Sequence, residues 1–249
     1  GTDGIRGRVN TPPMTAESAL RLAIAAARTF APNGGREVVI GRDTRRSGQM
    51  IEAALIAGLT SMGLKPVLLG IVPTPTVALM TRETGAALGL MVSASHNKSD
   101  DNGIKLFSPA GIKLTDAEEE ALEAAMASAF EGDFAPPPAI STPHHMKGAT
   151  TLYLERCLET VGTDIDFSGL KIVLDCAHGA AYEVGPAALR QLGADVTIIG
   201  DTPDGLNINA GVGSTATGLL KSTVTETGAD IGIAFDGDAD RVIVIDELG

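Results

Sequence analysis

At 249 residues, 44% hydrophobic and 20% charged, the chain is long enough for two α/β domains with a core in each. A net charge of −12, 3% aromatic residues and no tryptophan exclude general binding to a nucleic-acid backbone and stacking platforms for single strands or polysaccharide. A small phosphorylated substrate stays open, because local arginines, lysines or a metal can make a positive pocket in an acidic protein. Cys157 and Cys176 are too few and too far apart for a disulfide scaffold or a zinc site, and both are expected reduced and buried. No apolar run of membrane-spanning length and no export segment is seen, so the expected location is the cytoplasm, with neither membrane nor nucleic acid as a partner.

Residues 1–10, rich in glycine and charge, read as a loop carrying Asp3 and Arg6. An alanine-rich helix is predicted over 16–30, with Thr15 at its cap and Ser18 in place of the Glu or Gln of a full capping box. A β run over 37–41 leads into Arg42-Asp43-Thr44-Arg45, read as an inter-element salt-bridge network. A helix over 47–62 follows, with Gly63 at its C-terminal side. Next come a strand over 66–69, the turn Pro73-Thr74-Pro75-Thr76, a helix over 77–84 and an apolar strand over 87–92. Strand, polar loop and helix in repetition predict mostly parallel sheets, whose ligands gather at the carboxyl ends of strands.

An acidic helix is predicted over 116–130, and a proline-rich linker over 132–143. His144 and His145 in the linker lack ligand spacing and receive no role. After a helix over 148–161, a second unit begins: strand 170–175, helix 182–192, strand 195–199, helix 215–227, strand 229–235 and its hairpin partner 242–245. Asp175 and His178 follow a strand and can line a cleft, although His178 equally suits a helix cap. The fold class expected is α/β: two consecutive three-layer α/β/α domains with mixed, mostly parallel sheets, divided as 1–148 and 149–249. The last four residues look like a turn whose next strand is missing.

Two segments carry the chemistry. In Asp236-Gly237-Asp238-Ala239-Asp240-Arg241 the carboxylates alternate, and small residues between them let the backbone curl around one hard cation, which suits Mg²⁺. A calcium hand fits poorly, because Arg241 and Val242 interrupt its loop pattern. The bland reading is a solvated acidic turn; Arg241 weighs against it, since an arginine beside a cation is easiest to explain with a phosphate between them. In Ser93-Ala94-Ser95-His96-Asn97 a hydroxyl sits where a predicted strand ends. Ser95 is either a turn or cap residue or a functional nucleophile, and Ser93 competes with it. Asp100-Asp101-Asn102-Gly103 reads as a tight polar turn. Lys105 on the short β segment after it either neutralises a transferring phosphoryl group and relays a proton, or is a surface lysine on an edge strand.

With these motifs in view, the chain resembles the α-D-phosphohexomutase superfamily, most closely its bacterial phosphoglucosamine mutase branch. The resemblance rests on Gly1-Thr2-Asp3-Gly4-Ile5-Arg6-Gly7, the serine loop, Asp101-Asn102-Gly103-Ile104-Lys105 and the acidic loop, in that order. It implies that Ser95 is phosphorylated and gives one metal ligand, with Asp236, Asp238 and Asp240 as the other three. It places Arg6, Lys105 and Arg241 around the transferring phosphoryl group, with His96 and Asn97 beside it. The reaction implied interconverts glucosamine 6-phosphate and glucosamine 1-phosphate through a bisphosphate. It uses one Mg²⁺ and a bisphosphorylated hexosamine or hexose as primer, for UDP-N-acetylglucosamine and cell-wall precursors. A homodimer is the family's expectation, as are four domains around one cleft. The sugar-recognition and distal phosphate loops belong to the third and fourth, C-terminal domains, and neither pattern occurs before Gly249; residues 1–249 alone are expected to turn over poorly. A phosphoglucomutase or phosphomannomutase, or a non-catalytic phosphosugar- or metal-binding module, is the alternative.

Three departures from the family pattern stand out. Lys98 replaces the usual proline after His-Asn, which leaves the serine loop less rigid. Ala239 stands where glycine is common, a tolerable change if its backbone is not left-handed. Val212-Gly213-Ser214-Thr215-Ala216 replaces a Cys-Gly-Ser-Thr-His run, which leaves hexosamine specificity open.

Overall fold

The longest apolar runs form the innermost strands. In the computed structural model, which describes residues 4–249, β1 (Ile5–Arg8), α1 (Ala16–Phe30), β2 (Glu37–Arg42), α2 (Gly48–Ser61), β3 (Lys65–Ile71), α3 (Thr74–Thr84), β4 (Leu88–Val92) and β5 (Asp101–Phe107) build the first sheet and its cover. The strand order is β1-β5-β4-β2-β3-β6, where β6 (His144–His145) lies parallel to β3 at the edge. β2, β3 and β4 are parallel, and β5 runs antiparallel to both β4 and β1. Side-chain alternation along β2 sends Val38 and Ile40 to a core shared with α1 and α2, and Val39 to a core shared with α3. This unit therefore has three layers, as expected from its patterning.

A second sheet has the order β10-β9-β7-β8, from β7 (Lys171–Asp175), β8 (Asp195–Ile199), β9 (Ile231–Phe235) and β10 (Val242–Asp246). β7, β8 and β9 are parallel, and β10 closes the predicted hairpin. α7 (Gly218–Thr227) covers the Val173 face through Leu220 and Val224, while α6 (Val184–Gln191) packs its Gly185 near Leu174 on the other. α5 (Ala149–Val161) touches both α3 and α6, and so joins the two units. No helix among the described residues is long and apolar enough to cross a membrane.

Several expectations need correction. Residues 5–8, read as loop, form β1: only Ile5 is buried, and the charges of Arg6 and Arg8 hide its pairing with β5. Asp3 lies outside the described residues. Asp101, Asn102 and Gly103 are open strand rather than turn, because β1 and β4 bond to β5 on its two sides. α3 starts at Thr74 and not at residue 77, since proline fits the first helical turn, where its missing N–H is not needed. α4 (Asp116–Met126) has a capping box between Thr115 and Glu118 and stops four residues early. Near its end, Arg21 of α1 donates to the Met126 carbonyl and stacks on Phe130. His144 and His145 add to the sheet edge. Cys176 is buried as expected, whereas Cys157 is only half-buried.

α1 and α2 approach most closely at Gly58, where an added Cβ would lie 2.6 Å from the Ala23 Cβ and 2.9 Å from the Leu20 carbonyl. One of those obstacles is backbone and cannot rotate away. Gly58→Val is expected to cost about 1–3 kcal/mol despite its higher helix propensity, lowering the melting temperature by several degrees in calorimetry. An unchanged melting temperature would show that the crossing is looser than described.

Candidate active site

The loops that follow β2, β3, β4, β7 and β9 leave the carboxyl ends of parallel strands, and the two sheets turn these ends toward each other. Direct hydrogen bonds join them. Thr44 Oγ1 donates to the His178 carbonyl at 2.7 Å, the Arg46 amide to the Gly205 carbonyl at 2.9 Å, and the Thr74 amide to the Asp238 carbonyl at 2.9 Å. Another is the contact between the two predicted motifs: Ser95 Oγ donates to Asp236 Oδ2 at 2.5 Å.

Ser95 is fully buried and has a left-handed backbone with φ of 53°, a conformation that costs about 1–2 kcal/mol for a residue with a Cβ. Its surroundings hold it there. The Ser95 amide donates to Ser93 Oγ at 2.8 Å, and Ser93 Oγ donates to Asp43 Oδ2 at 2.7 Å. Of the two competing hydroxyls, Ser93 is thus turned into the supporting network and Ser95 toward the acidic loop. Asp43 is paired with Arg45 at 2.9 Å, and neither side chain is exposed. The Arg45 guanidinium spans the loop, donating to the carbonyls of Ser95 (3.0 Å), Asn97 (2.7 Å), Lys98 (2.5 Å) and Asp101 (3.1 Å). Arg42 takes no part in this grip; it pairs with Glu52 at 3.4 Å. Arg42 Nη1 also donates to the Asp43 carbonyl at 3.5 Å, which links the two ion pairs.

Lys105 is no surface lysine. It lies on β5 between β1 and β4, 2% exposed, and its Nζ is 2.6 Å from Asp238 Oδ2 and 2.8 Å from Asp240 Oδ2. Burial opposes its charge, but Asp238 and Asp240 overcome this and raise the ammonium's pKa. Burial likewise opposes ionisation of Asp238, yet Lys105, Thr74 and Ser95 together hold its carboxyl below the usual range. Thr74 Oγ1 donates to Asp238 Oδ2 at 2.5 Å. Asp236 behaves oppositely: burial and the neighbouring Asp238 charge push it up to about 6.

Oxygens of Asp236, Asp238 and Asp240 lie within 4.8 Å of one another, and this cluster could coordinate a metal ion. Asp238 Oδ1 is buried and accepts no hydrogen bond from the described residues. An unmatched carboxylate oxygen beside two further carboxylates fits a hard cation that supplies the missing positive charge.

Arg241 lies 3.6 Å from Asp240 and 3.9 Å from Asp236, and its guanidinium donates to His96 Nδ1 at 3.0 Å. A guanidinium only donates, so this places the imidazole proton on Nε2. Burial, then Arg241 and Arg6, hold the His96 pKa below its ordinary value. Arg6 projects from β1 beside Gly103 and acts on His96 through its charge. The Asn97 side chain donates away from the acidic loop, to Asp101 at 2.9 Å. Asp175 is a pin, accepting from the Ala177 amide at 2.8 Å and the Gly213 amide at 2.6 Å. His178 Nδ1 accepts from the Thr202 amide at 3.2 Å.

Sequence reasoning missed Thr74, the gripping role of Arg45, and Asn209, whose Nδ2 donates to the carbonyls of Ser95 at 2.8 Å and Asn97 at 2.9 Å. Thr74 and Arg45 do follow predicted strands, which was the available signal. It also left the Ala239 backbone open, and the answer is left-handed, with φ of 54°. Ala239→Gly is expected to stabilise the protein by about 1 kcal/mol, raising its melting temperature by a few degrees; a lower melting temperature would contradict the strain.

The raised Asp236 pKa has a defined sign. Between the unfolded value near 3.8 and the folded value of about 6, the native state binds the extra proton. Metal-free stability therefore falls as pH rises through that window, with a penalty of about 2–3 kcal/mol fully present above it. In chelator, Asp236→Asn should melt higher than the parent at pH 7 and lose that advantage by pH 4. A pH-independent difference in melting temperature would sink this assignment.

The family model for phosphoglucomutase/phosphomannomutase, alpha/beta/alpha domain I matches residues 1–133, and that for domain II matches residues 151–249. The chain is 72% identical over 249 residues to the phosphoglucosamine mutase of Hyphomonas neptunium and 53% identical over 251 residues to that of Jannaschia sp.. Both alignments cover 100% of this chain and 56% of the relative, so the chain spans little more than half the length of these curated relatives. A phosphoglucomutase/phosphomannomutase family protein from Burkholderia thailandensis superposes with a TM-score of 0.84 at 27% identity, over 100% of this chain and 54% of the other. The chain belongs to the phosphoglucomutase/phosphomannomutase family, the α-D-phosphohexomutases, and groups there with the phosphoglucosamine mutases.

Proposed function

We propose that the protein acts as a phosphoglucosamine mutase, interconverting glucosamine 6-phosphate and glucosamine 1-phosphate. In this reading residues 1–148 carry the phosphoryl-bearing serine and residues 149–249 the metal-binding carboxylates. The observation that carries it is the 2.5 Å contact between Ser95 Oγ and Asp236, across the two sheets. A serine hydroxyl buried against three carboxylates is badly placed to be a structural cap, and well placed to carry a dianion once a cation balances the charge.

Asp236, Asp238, Asp240 and the Ser95 phosphate would hold one Mg²⁺. When bound, the cation neutralises the phosphoserine and takes over the counter-charge that Lys105 otherwise gives Asp238 and Asp240. Lys105 Nζ, relieved of those two carboxylates, can then exist in its neutral form and accept a proton. A sugar hydroxyl oxygen forms the new bond to phosphorus while the bond between phosphorus and Ser95 Oγ breaks, and the hydroxyl proton passes by way of Nζ to the leaving Ser95 oxygen. The resulting bisphosphate reorients and returns its other phosphate to Ser95, with the proton moving back. Arg6 and Arg241 supply fixed positive charge beside the transferring group. His96 orients the Arg241 guanidinium, and Asn97 shapes the serine loop. A bisphosphorylated hexosamine or hexose primes the serine.

Intact-mass spectrometry of the full-length polypeptide after priming is expected to show one phosphoryl group, absent in Ser95→Ala. Turnover of glucosamine 6-phosphate should fall on the order of 10³-fold or more in that variant. EDTA should abolish turnover, and Mg²⁺ should restore it. Faster turnover of glucose 6-phosphate or mannose 6-phosphate than of the amino sugar would replace the substrate assignment, and phosphorylation of any other residue would remove the mechanism.

A further inference from the structure

The serine loop is gripped from both units. Arg45, on the loop after β2, reaches the carbonyls of Ser95 and Asn97 from the side of the first sheet. Asn209, in the segment between β8 and α7, reaches the same two carbonyls from the side of the second. Both acceptors are carbonyl oxygens, so only the amide nitrogen of Asn209 can make these contacts, and both its hydrogens are used. Asn209 is itself 5% exposed, held in a left-handed backbone with φ of 56°, and anchored by its amide to the Ala177 carbonyl at 2.9 Å. Gly237 seals the arrangement: an added Cβ there would lie 2.7 Å from both the Asn209 amide nitrogen and the Ser95 carbonyl.

We infer that Asn209 is a positioning residue, which completes the carbonyl grip on the serine loop only when the two units are closed. Arg45 alone satisfies one lone pair of each carbonyl. The second hydrogen bond, from Asn209, fixes the left-handed turn at Ser95 and with it the direction of Oγ. Closure of the units and readiness of the hydroxyl are thus one event. Asn209 touches neither the acidic cluster nor Lys105 through any hydrogen bond among the described residues, so its effect runs through the serine loop. The inference concerns the site read above as that of a mutase, but the loop geometry stands independently of that reading.

The test uses the full-length polypeptide with Asn209→Ala and Asn209→Asp, the latter nearly isosteric but unable to donate. Amide hydrogen exchange over residues 93–98 is measured together with the rate of Ser95 phosphorylation by glucose 1,6-bisphosphate and the half-saturating Mg²⁺ concentration. Both variants are expected to exchange about tenfold or more faster in the loop, and to take up the phosphoryl group about 10–100-fold more slowly. Mg²⁺ affinity of the unphosphorylated protein, which rests on Asp236, Asp238 and Asp240 alone, should stay as in the parent, which a general collapse of the second unit would not allow. Unchanged loop exchange in both variants overturns the inference, as does a matched loss of Mg²⁺ affinity. Faster loop exchange in a protein whose parent form never becomes phosphorylated upholds the grip and instead defeats the mutase reading.

Discussion

The contact on which the molecule depends is a buried ammonium from one sheet lying between two carboxylates from another. Lys105 brings a positive charge from the middle of β5 to Asp238 and Asp240, in a place where each charge alone would be very costly. Three aspartates crowd the turn after β9, and their mutual repulsion requires cations. The first unit supplies one with Lys105, and the second supplies another with Arg241. Neither half has a satisfactory electrostatic state by itself, so charge balance as well as shape determines that the halves face each other through their loops.

Much of this was legible in the sequence. The β-branched and leucine runs announced β2, β4, β7 and β9, and the carboxylates at alternate positions announced a curled acidic turn, because the small residues between them let the backbone bend. What stayed hidden depended on tertiary partners. β1 carries one buried side chain and two arginines, so only its neighbour β5 makes it a strand. Asp101, Asn102 and Gly103 look like a turn by composition, yet Gly103 is required where the Ser93 and Ile5 carbonyls approach from two sides. Asn209 carries no local signal, since its amide acts on residues more than a hundred positions away.

Backbone strain is concentrated in the same place. Besides Asn10, the non-glycine residues with left-handed backbones among those described are Ser95, Ala177, His178, Asn209 and Ala239, all in loops between the two sheets. Each costs about 1–3 kcal/mol and persists because neighbouring hydrogen bonds over-determine it. Lys98, where a proline would stiffen the loop, does not loosen it in this structure, because the Lys98 carbonyl is one of the four that Arg45 grips.

A Cβ on Gly179 would come within 2.7 Å of the Gly237 Cα, and one on Gly237 would lie 2.7 Å from the Ser95 carbonyl oxygen. The approach of Gly179 to Gly237 is therefore main chain against main chain, which no rotamer can adjust. A library diversifying the neighbouring loops could change many side chains, but these two glycines act as a fixed gauge. Any redesign of the loops around them must leave both glycines in place.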